Sequence, residues 1–175
     1  MIARKPWCAL ALASALALCT PARAAEVEYE DVPLDEMVEL TSVVVVARWL
    51  EPRSTEQRIP LSPKVAPFVR TRYRFEVVEV LNGKKSAPQP GAKIEVDQAH
   101  WADRLEFTRR SLVGRPAKTP TYERYAPRGE VAKAATVVLF LVKTKDGLSL
   151  VAENAWEVGE RVDEVKKLIE KYQRK

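Results

Sequence analysis

Two runs of apolar, largely β-branched residues restrict what this chain can fold into. Residues 42–50 read SVVVVARWL and residues 136–145 read TVVLFLVKTK. Each has the length of a strand, and neither alternates apolar with polar side chains. That pattern predicts strands buried on both faces. Residues 71–81, TRYRFEVVEVL, do alternate: Tyr73, Phe75 and Val77 are set against Arg72, Arg74 and Glu76. After Val77 the phase slips by one residue, so that Val78 and Val80 become the apolar set. A β-bulge produces such a slip, and bulges bend strands into barrels.

The remaining punctuation is that of a mainly β domain. Asn82-Gly83 ends the bulged strand, and Pro90-Gly91 leads into AKIEVDQ, where Ile94 and Val96 alternate with charged residues. A hairpin with a loop of about ten residues is predicted there. Asp146-Gly147 is a two-residue hairpin signal, with LSLVAENAW as the returning strand. VPLDEMVELTS reads as a short helix: Pro33 suits a first helical position, and Asp35 and Glu36 sit at the positive end of the helix dipole. Leu34, Met37 and Val38 share one face, and Met37 is expected in the core. From Gly159 onward the period becomes helical. Val158, Val162, Val165, Leu168, Ile169 and Tyr172 form an apolar stripe on a charged helix over 159–173, which is expected to pack on the sheet. Nothing alternates strand and helix as a doubly wound fold requires. The fold class is therefore mainly β (α+β): a small, partly open barrel of about five or six strands with a short N-terminal and a longer C-terminal helix.

The first residues bear on destination. Arg4 and Lys5 precede a short apolar run over 8–20, and Ala22-Arg23-Ala24 follows as a small-x-small cleavage site. This is the pattern of a secretory leader over 1–24, too short to span a bilayer. Its removal takes Cys8 and Cys19 with it, so the exported chain has no thiol for a disulfide, a metal or catalysis. Residues 25–175 are long enough for one core and are read as a single domain. Without Arg4, Lys5 and Arg23 the 29 basic residues fall to 26 against 24 acidic, a net charge of +2, which removes any global argument for nucleic acid.

Charge is unevenly placed along what remains. Residues 26–39 hold seven acidic side chains and no basic one. Residues 48–74 hold seven basic against two acidic, and residues 99–135 eight against four. Pairing of the acidic arm with basic segments of its own domain is the simpler expectation; a face that binds polyanions is the alternative. EPRSTEQRIPLSPKVAP, with four prolines and no period, is predicted to be a loop. A second long segment, 99–132, has little regular period, although Trp101, Leu105, Thr108 and Leu112 would share one side of a helix over 100–112. Long connections of this kind in a small domain tend to be functional or disordered.

Catalytic constellations are scarce. His100 is the only histidine, and Ser42, Ser111 and Ser149 lie in no nucleophile-elbow context. His100 with Asp97 and Asp103 makes a weak metal-site spacing, and nothing calls for a metal or another cofactor. No phosphate loop, dinucleotide fingerprint or calcium loop is present. Glu76, Glu79, Glu95 and Asp97 fall on strands, where they are expected to face solvent as cross-strand partners of Arg72, Arg74 and Lys93. The long segment is different. Trp101, Phe107, Tyr122 and Tyr125 are interleaved with Arg104, Arg109, Arg110, Arg115, Lys118, Arg124 and Arg128. Aromatic side chains supply apolar anchors, and arginines read carboxylate or phosphate in bidentate fashion. The expected contact surface is Trp101, Arg104, Phe107, Arg109, Arg110, Tyr122, Arg124 and Tyr125; the equal alternative is that the aromatics only pin a long loop to the barrel.

The order of LDEMVELTSVVVVARW, YRFEVVEVLNG, GAKIEV and VVLFLVKTKDG resembles a class of small exported bacterial domains built on an OB-like β-barrel. The likeness implies the barrel and specifies no activity, because the shared motifs are structural. In outline it is also similar to the netrin-like domains of metalloprotease inhibitors, whose inhibitory N-terminal cysteine and disulfides are missing here. The expectation is an exported, non-enzymatic binding module, periplasmic or extracellular, for a protein partner or an anionic envelope polymer. Export argues against nucleic acid as the ligand. The alternatives are a small hydrolase using His100 or a carboxylate pair, and an accessory subunit docked through the C-terminal helix.

Overall fold

The computed structural model describes residues 27–83, 87–115 and 118–174; the expected leader, 1–24, lies outside them. In chain order the elements are β1 (Glu28–Val32), α1 (Leu34–Leu40), β2 (Val43–Ile59), β3 (Phe68–Asn82), β4 (Lys93–Asp97), α2 (Trp101–Leu112), β5 (Thr121–Tyr125), β6 (Val137–Thr144), β7 (Gly147–Leu150), β8 (Trp156–Val158) and α3 (Val162–Gln173). β2 pairs antiparallel with β3, β3 with β4, and β6 with β7, while β4 and β7 are parallel. β2 also pairs with β6, which brings the sheet back on itself, and β8 adds to β6. The β4–β7 seam has only two register pairs, Val96–Leu148 and Asp97–Ser149. The result is a partly open, OB-like barrel of the expected mainly β class.

The two unalternating runs behave as their composition predicts. Val43, Val44, Val45, Val46 and Ala47 are all buried, as are the five residues from Val137 to Leu141. All of them except Val46 share one hydrophobic cluster with Met37 and Val38 of α1 and with Val165 and Ile169 of α3. The helices therefore supply the outer cover that two-sided burial demands. Each such aliphatic side chain contributes about 1.5–3 kcal/mol of transfer free energy. The slip after Val77 is a bulge: Ala47 faces Val77 and Val46 faces Glu79, so Val78 is the extra residue. Val78 itself turns to solvent, 47% exposed, instead of joining a new apolar set. Pro33 occupies the N-cap of α1 in extended conformation, one position before its expected place.

Three expectations are corrected. Only the second half of the proline-rich segment, 60–67, is a loop. β2 continues to Ile59, and residues 54–59 pair with 68–73 to form a hairpin arm whose outer strand is exposed along its length. Its prolines stand where no ladder hydrogen bond is needed: Pro52 in the irregularity between Trp49 and Ser54, and Pro60, Pro63 and Pro67 at the tip. The segment 99–132 is more regular than its weak period suggests: its described residues form α2, where a helix over 100–112 was expected, and also β5 and a helical turn at Val131–Lys133. The acidic N-terminus provides β1, which lies parallel to β5, with Asp31 2.8 Å from Arg124. Charge alone announced this pairing, because β1 buries only Val32 and shows no apolar period. Finally, Asp97 is not at the surface; it is 4% exposed and paired with Arg70, itself 7% exposed. Among the described residues no helix is long and apolar enough to cross a membrane.

Candidate functional site: the cleft between the arm and α2

The position of α2 is set by its first residues. The chain leaves β4 through buried Gln98 and Ala99 and reverses at His100, a non-glycine residue at φ 54°. The His100 ring stacks on Tyr122, with centroids 4.6 Å apart and planes at 15°. Its Nε2 is 3.3 Å from Glu123 Oε2. Burial holds the His100 pKa below its ordinary value, against the opposing pull of Glu123, Asp103 and Glu153. Trp101 lies under the Arg70 guanidinium at 3.7 Å. Arg70 donates from Nε and Nη2 to the two carboxylate oxygens of Asp97 at 2.8 and 2.6 Å, and Arg72 Nε adds a contact at 3.2 Å. This Asp97–Arg70–Trp101 stack ties the base of the arm to the first turn of α2. Leu105 is buried on the inner face of the helix, and Arg104 Nη1 stands 3.5 Å from Glu153.

Toward its C-terminal end this same side of α2 is left uncovered. Phe107 and Thr108 face Leu61, Val65, Phe68 and Val69 of the arm across a cleft of about 590 Å³. A second cleft of about 340 Å³ continues past Leu112 and Val113, and Leu61 and Val65 border both. Most of the large exposed apolar residues of the described chain are here: Val69, Leu112 and Val113, the last 68% exposed. The charged residues lining the two clefts are Lys64, Arg104 and Arg109, with no carboxylate among the described lining residues. Lys64 and Arg109 have no ion-pair partner among the described residues. The pocket is of ligand-binding size, with apolar walls and a cationic rim.

The expected contact residues divide in two. Phe107, Arg109 and Arg104 border the cleft, the last while also facing Glu153, and Arg110 is exposed beside them, paired with Glu106 at 2.9 Å. Trp101, under Arg70, borders a different cleft of about 240 Å³, and Tyr122, Arg124 and Tyr125 are held in contacts within the fold. Tyr122 is buried under His100, and burial raises its pKa. Arg124 is held between Asp31 and the Tyr29 ring. Tyr125 is buried and donates its hydroxyl to Glu157 at 2.5 Å, and its pKa is raised by burial first and by that carboxylate second. Sequence reasoning missed Leu61, Lys64, Val65, Phe68 and Val69. Their signal was present as apolar residues scattered among the prolines of a segment read as a loop.

Other groups with chemical potential are engaged in structure. Ser42, Ser111 and Ser149 donate their hydroxyls to the main-chain carbonyls of Leu141, Phe107 and Gln98. Glu76 is bonded to Arg48, Glu79 to Lys166, and Glu95 lies 3.7 Å from Arg72. Among the described residues no group of three or more His, Cys, Asp or Glu side chains is placed to hold a metal ion. No known family's profile matches the sequence, and comparison with curated proteins found no match.

Proposed function

We propose that the chain is an exported binding module without catalysis of its own, and that it holds a protein partner against the face formed by α2 and the β2–β3 arm. One observation carries the reading: two adjoining clefts that share Leu61 and Val65, with apolar walls, exposed Val69, Leu112 and Val113, and a rim of Lys64, Arg104 and Arg109. An anionic envelope polymer would use the rim alone, whereas a protein uses both rim and walls. The apolar walls favour the protein. The outer faces of β3 and β4 carry Arg72, Glu76, Lys93 and Glu95, while Phe75 turns into the core. A nucleic-acid surface of the stacking kind needs aromatic rings on that face. The apolar stripe of α3 is spent on the barrel at Val165 and Ile169, which disfavours docking through that helix.

Co-sedimentation of the processed chain with envelope fractions across a salt series tests this. Rim contacts are screened as the Debye length falls from about 10 Å at 0.1 M to about 3 Å at 1 M, and apolar contacts persist. Binding should weaken with salt without vanishing, and Val113→Asp should reduce it. Loss of all binding at high salt, with Val113→Asp unchanged, assigns the interaction to a polymer and overturns the protein reading.

A further inference from the structure

We propose that an extended, acidic segment of the partner adds as a short strand to the edge of β3 at Val69, lying between that edge and α2. This rests on the cleft being the contact face. The observation behind it is the direction of main-chain groups. Thr71 N–H donates to the Gln98 side chain at 3.3 Å, and Thr71 C=O accepts from Gln98 N–H at 3.1 Å. Both main-chain groups of Thr71 therefore point to the β4 side of β3. In an antiparallel strand the N–H and C=O of one residue point to the same edge, and residues two apart share that edge. Val69 accordingly presents both groups to the same side. β4 does not reach it, since the β3–β4 register stops at Arg72–Asp97, and the β2 partner of Val69, Arg58, lies on the other edge. What borders Val69 on the open side is the cleft, with Arg104, Phe107 and Thr108 of α2 as the opposite wall.

A strand edge facing a helix across an apolar groove is a template for an added strand: main-chain bonds provide affinity and side-chain pockets provide selection. The wall from Arg104 to Val113 spans nine residue steps at 1.5 Å each, roughly 14 Å, which matches about four extended residues. Alternate side chains of such a segment would meet Phe107 and Val65 on one side, and Lys64 and Arg109 on the other. The lining cations, unopposed by a lining carboxylate, select an acidic sequence. Pro67, next on the same edge, has no N–H to offer, so the addition ends there and does not propagate.

The test uses the ¹⁵N-labelled processed chain and four synthetic probes. These are acetyl-Glu-Val-Glu-Val-Glu-amide, its Lys-for-Glu counterpart, and two versions of the acidic peptide with alternate amides N-methylated on one edge or the other. The Val69 amide should shift downfield and gain protection from exchange with the acidic peptide. That peptide should bind at least about tenfold more tightly than the lysine one. One N-methylated version should bind normally and the other should fail. Val69→Pro should lose about tenfold or more in affinity while keeping the circular-dichroism spectrum, because the N–H it removes lies outside the β2–β3 ladder. Equal binding by both N-methylated versions, an unprotected Val69 amide, equal binding of the lysine peptide, or no shift in the cleft at millimolar peptide overturns strand addition. In each of those cases envelope binding that is still sensitive to Val113→Asp leaves the contact face standing; binding insensitive to Val113→Asp removes the contact face itself.

Discussion

Replacing Arg70 by methionine tests the most specific structural claim made here, that one buried ion pair fixes the arm to α2. Met approximates the aliphatic part of the arginine and removes the charge. Asp97, 4% exposed, then loses two charge-assisted hydrogen bonds of 2.8 and 2.6 Å, and Trp101 loses the cation stacked at 3.7 Å. Leaving one member of a buried pair uncompensated costs about 3–5 kcal/mol. Arg72 remains 3.2 Å from Asp97 and is partly exposed, which places the expectation near the lower end, about 3 kcal/mol. The double substitution Arg70→Met with Asp97→Leu removes both charges and should recover most of that loss, because a well-packed apolar pair is about as stable as a buried ionic one. Urea unfolding followed by tryptophan fluorescence reads both, with the slope of the transition reporting whether folding stays two-state. If the single substitution costs less than about 1 kcal/mol, or the double costs as much as the single, the pair is not the tie described.

Three further outcomes are expected. Burial in the folded state disfavours the charged form of His100 and depresses its pKa below the ordinary value of 6.5, so the unfolded chain binds the proton more readily. Stability present above pH 6.5 is then lost as pH falls through the folded-state value, and His100→Gln should flatten that part of a urea-midpoint profile between pH 7.5 and 5. Tyr125→Phe removes one of the donors to fully buried Glu157 and should cost about 1–2 kcal/mol in thermal or urea unfolding. Its envelope binding should be unchanged, whereas a contact role for Tyr125 would show the reverse. Val113→Asp should leave stability within about 0.5 kcal/mol of the parent, which makes it a clean probe of the cleft.

The barrel was legible because its strands carry their own signal. Unbroken valines at 43–46 can only be buried on two sides, and the phase slip at Val77–Val78 marks a bulge without any partner being known. The arm was hidden by its prolines, which suggest a loop until the pairing shows that all of them lie outside the paired stretch 54–59. β1 was hidden for a different reason: a strand that buries one side chain has no period to read. The site was half visible. Phe107 and Arg109 were picked out by residue type, but type cannot tell the aromatic that faces a cleft from Tyr125, which faces the core. That difference depends on where β5 sits, and a parallel pairing with a strand ninety-three residues earlier, tied by Asp31 and Arg124, decides it. Asp97 and Arg70 were unreadable as a pair, because only the packing of Trp101 turns a surface position on a strand into a buried one.

The most direct test of the central claim is site-specific photo-crosslinking in an exporting host, with benzoylphenylalanine placed at Phe107 and, as a control, at exposed Glu160 before α3. The account predicts a discrete protein adduct from position 107 that Val113→Asp diminishes, and none from position 160. An adduct from position 160 with none from position 107 would place the contact face elsewhere and contradict it.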